Sequence, residues 1–188
     1  AALGRPHLWT GQGNLDAAST PEGQGVIRKA AKAGLVYVAI GMESIQPEVL
    51  KKGHIYKKMG VRDGEDFFSK MKDNIAFIQD QGIAISAWFT IGFEEDTRET
   101  IERTMAFCDD NHLIPVLCPL EALPGTPLYD RLSKEGRIDE KRILNVVHPS
   151  IGDAELLNLI EKHTQAGYSF REIWKRTMFY KNKFRHAD

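Results

Sequence analysis

Apolar residues gather along this chain in two alternating kinds of segment: short unbroken runs, and longer stretches in which they recur every three or four positions. The first kind has the length and β-branched flavour of strands, the second the period of a helix packed by one face. Residues 7–15 read as a short strand ending in small and polar side chains. Thr20-Pro21 then supplies an N-cap and a first-turn proline for a helix that carries Val26, Ile27, Ala30 and Ala31 and stops at Gly34. Residues 35–40 form an apolar run ending at Gly41, which predicts a second strand buried on both faces.

A short helix around 47–52 leads into a polar, glycine-bearing excursion over 53–65, read as a loop. Helical spacing returns with Phe67, Met71, Ile75 and Ile78 and ends at Gly82. Residues 83–91 are the third strand. Asp96, with Glu99 three positions on, predicts a capping box opening a helix with Ile101, Met105 and Cys108. Residues 113–120 are the fourth strand, and Thr126-Pro127 opens a helix ending near Gly136. Two further helices are expected over 154–165 and 170–184. Four strand-then-helix units in series predict a parallel α/β architecture, either an open doubly wound sheet or an arc of a barrel.

Composition narrows the function classes. With 188 residues, 25 Lys+Arg and 26 Asp+Glu, the chain has no global field with which to hold nucleic acid or an anionic membrane. The run 34–42 is too short to span a bilayer, and residues 1–6 lack the layout of a secretory signal and an initiating Met, so the expectation is a cytoplasmic piece of a longer product. Cys108 and Cys118 read as buried free thiols. The six histidines, His7, His54, His112, His148, His163 and His186, contain no pair at helical spacing, so no zinc site is predicted. The basic tail from Thr164, and Lys51, Lys52, Lys57, Lys58 and Arg62 in and near the excursion, read as solvated surface.

In parallel α/β proteins ligands sit at the carboxyl ends of the strands. Those ends offer Gln12, Asn14 and Asp16; Glu43 and Ser44; Gly92, Glu94 and Glu95; and Glu121 with the turn Pro124-Gly125-Thr126-Pro127. This set of carboxylates, amides and hydroxyls holds no Lys or Arg, and suits a ligand with amines, hydroxyls or a cationic centre. Gly11-Gln12-Gly13 lacks the third glycine of a dinucleotide fingerprint.

The same strand ends carry a resemblance. Gly41-Met42-Glu43-Ser44 followed by Pro47-Glu48-Val49-Leu50, then residues 91–97 with Gly92, Glu94 and Glu95, then Leu123-Pro124-Gly125-Thr126-Pro127-Leu128-Tyr129 resemble, in order and spacing, the radical S-adenosylmethionine enzymes, in the branch that often carries a cobalamin-binding domain upstream. The resemblance covers roughly residues 8–140. It implies a partial parallel (β/α) barrel, TIM-barrel-like, in which a four-iron four-sulfur cluster cleaves S-adenosylmethionine, and of which this chain supplies about four units. A core over 1–140 and a helical extension over 141–188 follow from that reading.

Glu43 and Ser44 match a family position suited to the ribose or methionyl part of the cofactor. Gly92 and Glu95 match the later half of a glycine motif near the adenine, and Gln12 and Asn14 complete the implied cofactor-facing set. The family's three-cysteine loop is absent, so the cluster ligands are expected outside this chain, which alone should be inactive. Trp88 and Thr90 stand where the family favours Gly and an aliphatic residue; strand alternation points Trp88 into the barrel, either to stack on a planar group or, the preferred reading, to fill space. The excursion 53–65 is also longer than usual. Substrate, reaction subtype and use of cobalamin are left open. Two other readings compete: a non-catalytic scaffold that self-associates or is capped by a partner through its exposed sheet edges, and a small α/β enzyme with Glu43 or Glu121 as general base.

Overall fold

The computed structural model describes residues 7–53, 55–62 and 65–184. The readings placed on residues 1–6, His54 and His186 lie outside them. Four strands, β1 (Trp9–Gly13), β2 (Leu35–Glu43), β3 (Ala84–Ile91) and β4 (Ile114–Pro119), pair in parallel in the order β1-β2-β3-β4. Sequential order without a reversal is the winding of a barrel arc, whereas a doubly wound sheet turns back at a switch point. The helices α1 (Pro21–Lys32), α2 (Pro47–Lys52), α3 (Phe67–Asp80), α4 (Arg98–Asp110) and α5 (Pro127–Lys134) follow the strands, and α6 (Asp153–Gly167) and α7 (Phe170–Phe184) close the chain.

Local chemistry explains most of these boundaries. The Thr20 hydroxyl accepts the Gly23 N–H at 3.1 Å and Pro21 opens α1, while the Thr126 hydroxyl does the same for Tyr129 ahead of Pro127. Gly34 and Gly82 hold the left-handed conformations that end α1 and α3. The helix expected to open on Asp96 opens one residue later. Thr97 is its N-cap, and the reciprocal partner is Thr100 rather than Glu99. The Asp96 carboxylate is drawn away by two backbone N–H groups of the preceding loop.

The core lies between one face of the sheet and the helices. Ile85, Ala87, Phe89 and Ile91 of β3 are buried against Met71, Ile75, Ile78, Ile101 and Cys108, with Leu156 and Leu159 of α6 in the same cluster. The other face stays open, so β2 is not buried on both faces as its apolar run suggested. Ile40 and Met42 are buried, while Tyr37, Ala39, Gly41 and Glu43 remain partly exposed. An apolar run reports only that a strand is central; it cannot report whether both of its layers are present.

Helix α7 is tied to the sheet and to its neighbouring loops. The Tyr180 hydroxyl of α7 accepts the Ile85 N–H at 3.3 Å and a Gln79 amide N–H at 3.1 Å, and donates to the His112 carbonyl at 3.1 Å. Arg176, buried, donates to the carbonyls of Leu113 and Gly167.

Candidate functional site at the strand ends

The end of β2 is shaped by three coincident features. The pairing of β2 with β3 slips between Gly41 and Glu43, Glu43 takes a left-handed backbone at φ 60°, and Gly41 leaves room for the Glu43 carboxylate to fold back over it. A Cβ at position 41 would stand 2.8 Å from Glu43 Oε1. The side chain is fixed from the neighbouring strand, where Thr90 Oγ1 donates to Glu43 Oε2 at 2.8 Å. A glutamate at positive φ is uncommon, and such a residue held by a bulge and a cross-strand hydrogen bond is a preorganised one.

Two cavities share Glu43 and Thr90 as a common wall. One, of about 570 Å³, lies on the open sheet face and is lined by Gln12, Asn14, Glu43, Trp88, Thr90 and Cys118. The other, of about 720 Å³, lies over the loops that follow β3 and β4, with Glu95, Glu121, Leu123 and Pro127 in its lining. The second cavity overturns the expectation of a rim without cations, since Lys52, Arg131 and Arg137 also line it. Glu94 gathers all three: Lys52 pairs with it directly, Arg137 at 2.6 Å and Arg131 at 3.4 Å, and Lys52 also reaches Glu95 at 3.1 Å. Arg137 further donates to the Val147 carbonyl at 3.1 Å. These cations come from α2, α5 and the segment after α5, so no local pattern around the strand ends could announce them.

Behind the rim, a small network fixes the loop after β3. Gly92, at φ 119°, and Phe93 both donate their backbone N–H to Asp96 Oδ2, at 2.8 and 3.0 Å, and Gln46 donates to Oδ1 at 2.9 Å. Asp96 is buried, and desolvation raises its pKa above the ordinary carboxylate value despite the two backbone N–H groups that favour its charge. His148 accepts the Ser150 and Ile151 N–H groups on Nδ1, which leaves Nε2–H to donate to the Phe93 carbonyl at 2.8 Å. The segment after α5 therefore holds the loop from its far side.

Of the six residues expected to face the cofactor, Gln12, Asn14 and Glu43 come together in one cavity, and Glu43 and Glu95 in the other. Ser44 and Gly92 line neither cavity. The buried Ser44 hydroxyl accepts the Gln46 N–H at 3.0 Å, and a Cβ at Gly92 would press on Leu120 and Leu156. Trp88 does not fill a core: it is 44% exposed, with its indole N–H donating to the buried Ser86 hydroxyl at 3.1 Å. Cys118 is only half-buried because it belongs to the open face, and burial together with the Glu43 charge pushes its thiol pKa up. Cys108 is fully buried in the helix-side core, where burial raises its thiol pKa strongly. Thr90 and Asp96 carry the geometry of the site; the sequence marks Thr90 only as a departure from the family pattern and Asp96 only as a helix cap.

The donors present do not fit an iron–sulfur cluster. The sequence has two thiols, one inside the core and one on β4, and among the described residues no three His, Cys, Asp or Glu side chains are grouped to hold a metal ion. They do fit a cationic, hydroxyl-bearing ligand, for which Glu43, Gln12, Asn14 and Thr90 offer acceptors and donors around one space.

No family model matches the chain. It is 32% identical over 139 residues to the hopanoid C-2 methylase of Rhodopseudomonas palustris (strain TIE-1), an alignment covering 72% of this chain and 24% of that protein. It is 25% identical over 174 residues to the bacteriochlorophyllide d C-12(1)-methyltransferase of Chlorobaculum tepidum, covering 89% of this chain and 36% of that protein. The chain thus spans about a quarter and about a third of the lengths of these two curated relatives.

Proposed function

We infer that this chain, a distant homologue of cobalamin-linked radical S-adenosylmethionine methyltransferases, forms the later, cofactor- and substrate-facing part of such an enzyme's core and serves methyl transfer to a carbon centre. The observation that carries this reading is the Glu43 carboxylate, held at the end of β2 by the bulge, by Gly41 and by Thr90, where it borders both cavities. That both relatives are named for methylation at a numbered carbon supports the reaction class.

S-adenosylmethionine, when bound, supplies the sulfonium group and the adenosyl moiety on which the chemistry starts. The chain's own work is to shape and orient. Glu43 keeps one oxygen committed to Thr90, so its remaining acceptor capacity is aimed at an ammonium or a ribose hydroxyl entering the open face. Gln12 and Asn14 present both donors and acceptors from the β1 end of that cavity. Trp88, anchored on Ser86, offers an exposed ring face for a planar group. Ser44 and Gly92 act through the backbone, by fixing the entry to α2 and the turn after β3. The four-iron four-sulfur cluster, and cobalamin if the intact enzyme uses it, depend on groups beyond this chain.

The test is a titration of the full chain with S-adenosylmethionine followed by heteronuclear NMR. The expected result is saturable movement of the amides at Gln12, Asn14, Glu43 and Thr90, with affinity at least tenfold weaker in Glu43→Gln, as a lost hydrogen bond to a charged group of about 1.5–3 kcal/mol requires. Saturable binding that leaves those amides unmoved, or no binding up to millimolar ligand, sinks the reading. Anaerobic reconstitution with iron and sulfide should give no stoichiometric cluster on this chain.

A further inference from the structure

Within the excursion between α2 and α3, residues 56–61 are held in place, and cations gather beside them. Tyr56–Met59 is a turn of 3-10 helix closed by Gly60 at φ 73°. Ser19 Oγ donates to the Gly60 carbonyl at 3.0 Å, and the buried Asn74 of α3 donates to both Ser19 Oγ, at 3.0 Å, and the Met59 carbonyl, at 3.1 Å. A Cβ at position 60 would collide with Ser19, Asn74 and the Asp16 backbone, so only glycine allows this approach. Met59 and Val61 on either side are buried. The backbone from 59 to 61 is therefore clamped between α3 and the 3-10 turn Leu15–Ser19 that follows β1.

Lys57 and Arg62 flank this clamp, and Lys51 joins them from α2. The three cations line one cavity of about 680 Å³ with Tyr56, Ser19 and Thr20, and among the described residues Asp16 is the single carboxylate in the lining. The Lys51 ammonium lies 5.2 Å from the centre of the Tyr56 ring. Among the described residues none of the three cations is joined to a carboxylate by an ion pair. The contrast with the adjacent Lys52, which turns the other way to Glu94 and Glu95, is direct. Thr20, the N-cap of α1, brings the positive end of that helix's dipole to the same rim. Holding like charges around one space is unfavourable until a multivalent anion fills it.

We propose that this cavity, framed by Lys51, Lys57, Arg62, Thr20 and the clamped Gly60, is a binding site for the phosphate group of a phosphorylated ligand. Three cations and a helix start match a group with two charges and three exposed oxygens better than a carboxylate, which offers two oxygens and one charge. Tyr56 lines the same space with its ring stacked on Phe67, centroids 5.3 Å apart. The site shares no lining residue with the two cavities around Glu43, so it stands independently of the methyl-transfer reading.

The experiment is a heteronuclear NMR titration of the full chain at low ionic strength, with inorganic phosphate in one arm and adenosine 5′-phosphate in another, and acetate as the control anion. Saturable movement of the Ser19, Thr20, Gly60 and Val61 amides by either phosphate, and not by acetate, is expected, with affinity at least tenfold weaker in the Lys57→Gln/Arg62→Gln double variant. Equal affinity in the two arms assigns the site to free phosphate, and tighter binding of the nucleotide assigns it to a phosphate ester. Phosphate should also raise the thermal midpoint of the wild type and leave that of the double variant unmoved. Both substitutions are of exposed side chains, and Lys51→Gln/Lys57→Gln provides a second pair should the first not fold. Absence of saturable binding, equal response to acetate, or affinity unchanged in a folded double variant overturns the proposal.

Discussion

The two faces of β3 show how one strand serves two ends. On the helix side Ile85, Ala87, Phe89 and Ile91 are almost wholly buried and interlock with α3 and α4. One residue out of phase, Ser86, Trp88 and Thr90 make a polar and partly exposed surface, whose side chains bond to one another or to Glu43. Alternation places every second side chain on the same face, so a packed face and a hydrogen-bonding face are separated within eight residues. The closely packed side tolerates no change of volume. The open side depends on hydrogen-bond partners instead.

The sharpest test of this contrast is Phe89→Ala, a truncation at a site that is 1% exposed, which should cost about 3–5 kcal/mol and show as a large fall in the urea midpoint. Next comes Asp96, which anchors the loop that follows β3. Asp96→Ala strands the N–H groups of Gly92 and Phe93 and should cost about 2–4 kcal/mol, whereas Asp96→Asn keeps an acceptor for them and should cost less.

The pH dependence has a definite sign. Because the folded pKa of Asp96 lies above its ordinary value of 3.8, its stabilising contribution is fully present below that value and fades as pH rises through the folded pKa. The stability of the wild type relative to Asp96→Asn should therefore decline from about pH 4 toward neutrality, measured by paired urea unfolding curves. A difference that grows with pH would contradict the burial-driven shift.

Tyr180→Phe, which removes the hydroxyl that ties α7 to β3 and to the end of α4, should cost about 1–2 kcal/mol. Its effect should appear as faster hydrogen exchange at the Ile85 amide. The smallest change is expected from Trp88→Ala, at about 1 kcal/mol or less, since the side chain is nearly half exposed. That variant should nevertheless weaken S-adenosylmethionine binding. If Trp88→Ala destabilised the fold as much as Phe89→Ala, the division between the two faces would fail.

Local signals were legible and nonlocal ones were not. Thr20-Pro21 and Thr126-Pro127 marked two helix starts because the capping bond spans only three residues. Asp96 misled because the same Asp-x-x-Glu spelling serves a cap or a loop anchor. The choice went to the loop, where two buried backbone N–H groups needed an acceptor. The apolar run of β2 overstated burial, since it encodes a central strand and not how many layers cover it. Glu43 was singled out correctly as a strand-end carboxylate, but its left-handed backbone and its Thr90 partner, 47 positions away, were not readable.

The order and kind of the main elements and the parallel α/β class are written in the sequence, because period, caps and turn residues act over a few positions. Only the tertiary structure decided which of the strand ends share a cavity, that Lys52, Arg131 and Arg137 converge on Glu94, and that the cations of the excursion surround one space. Those are distances between residues tens of positions apart, fixed by how helices return each strand to its neighbour, and no local pattern encodes them.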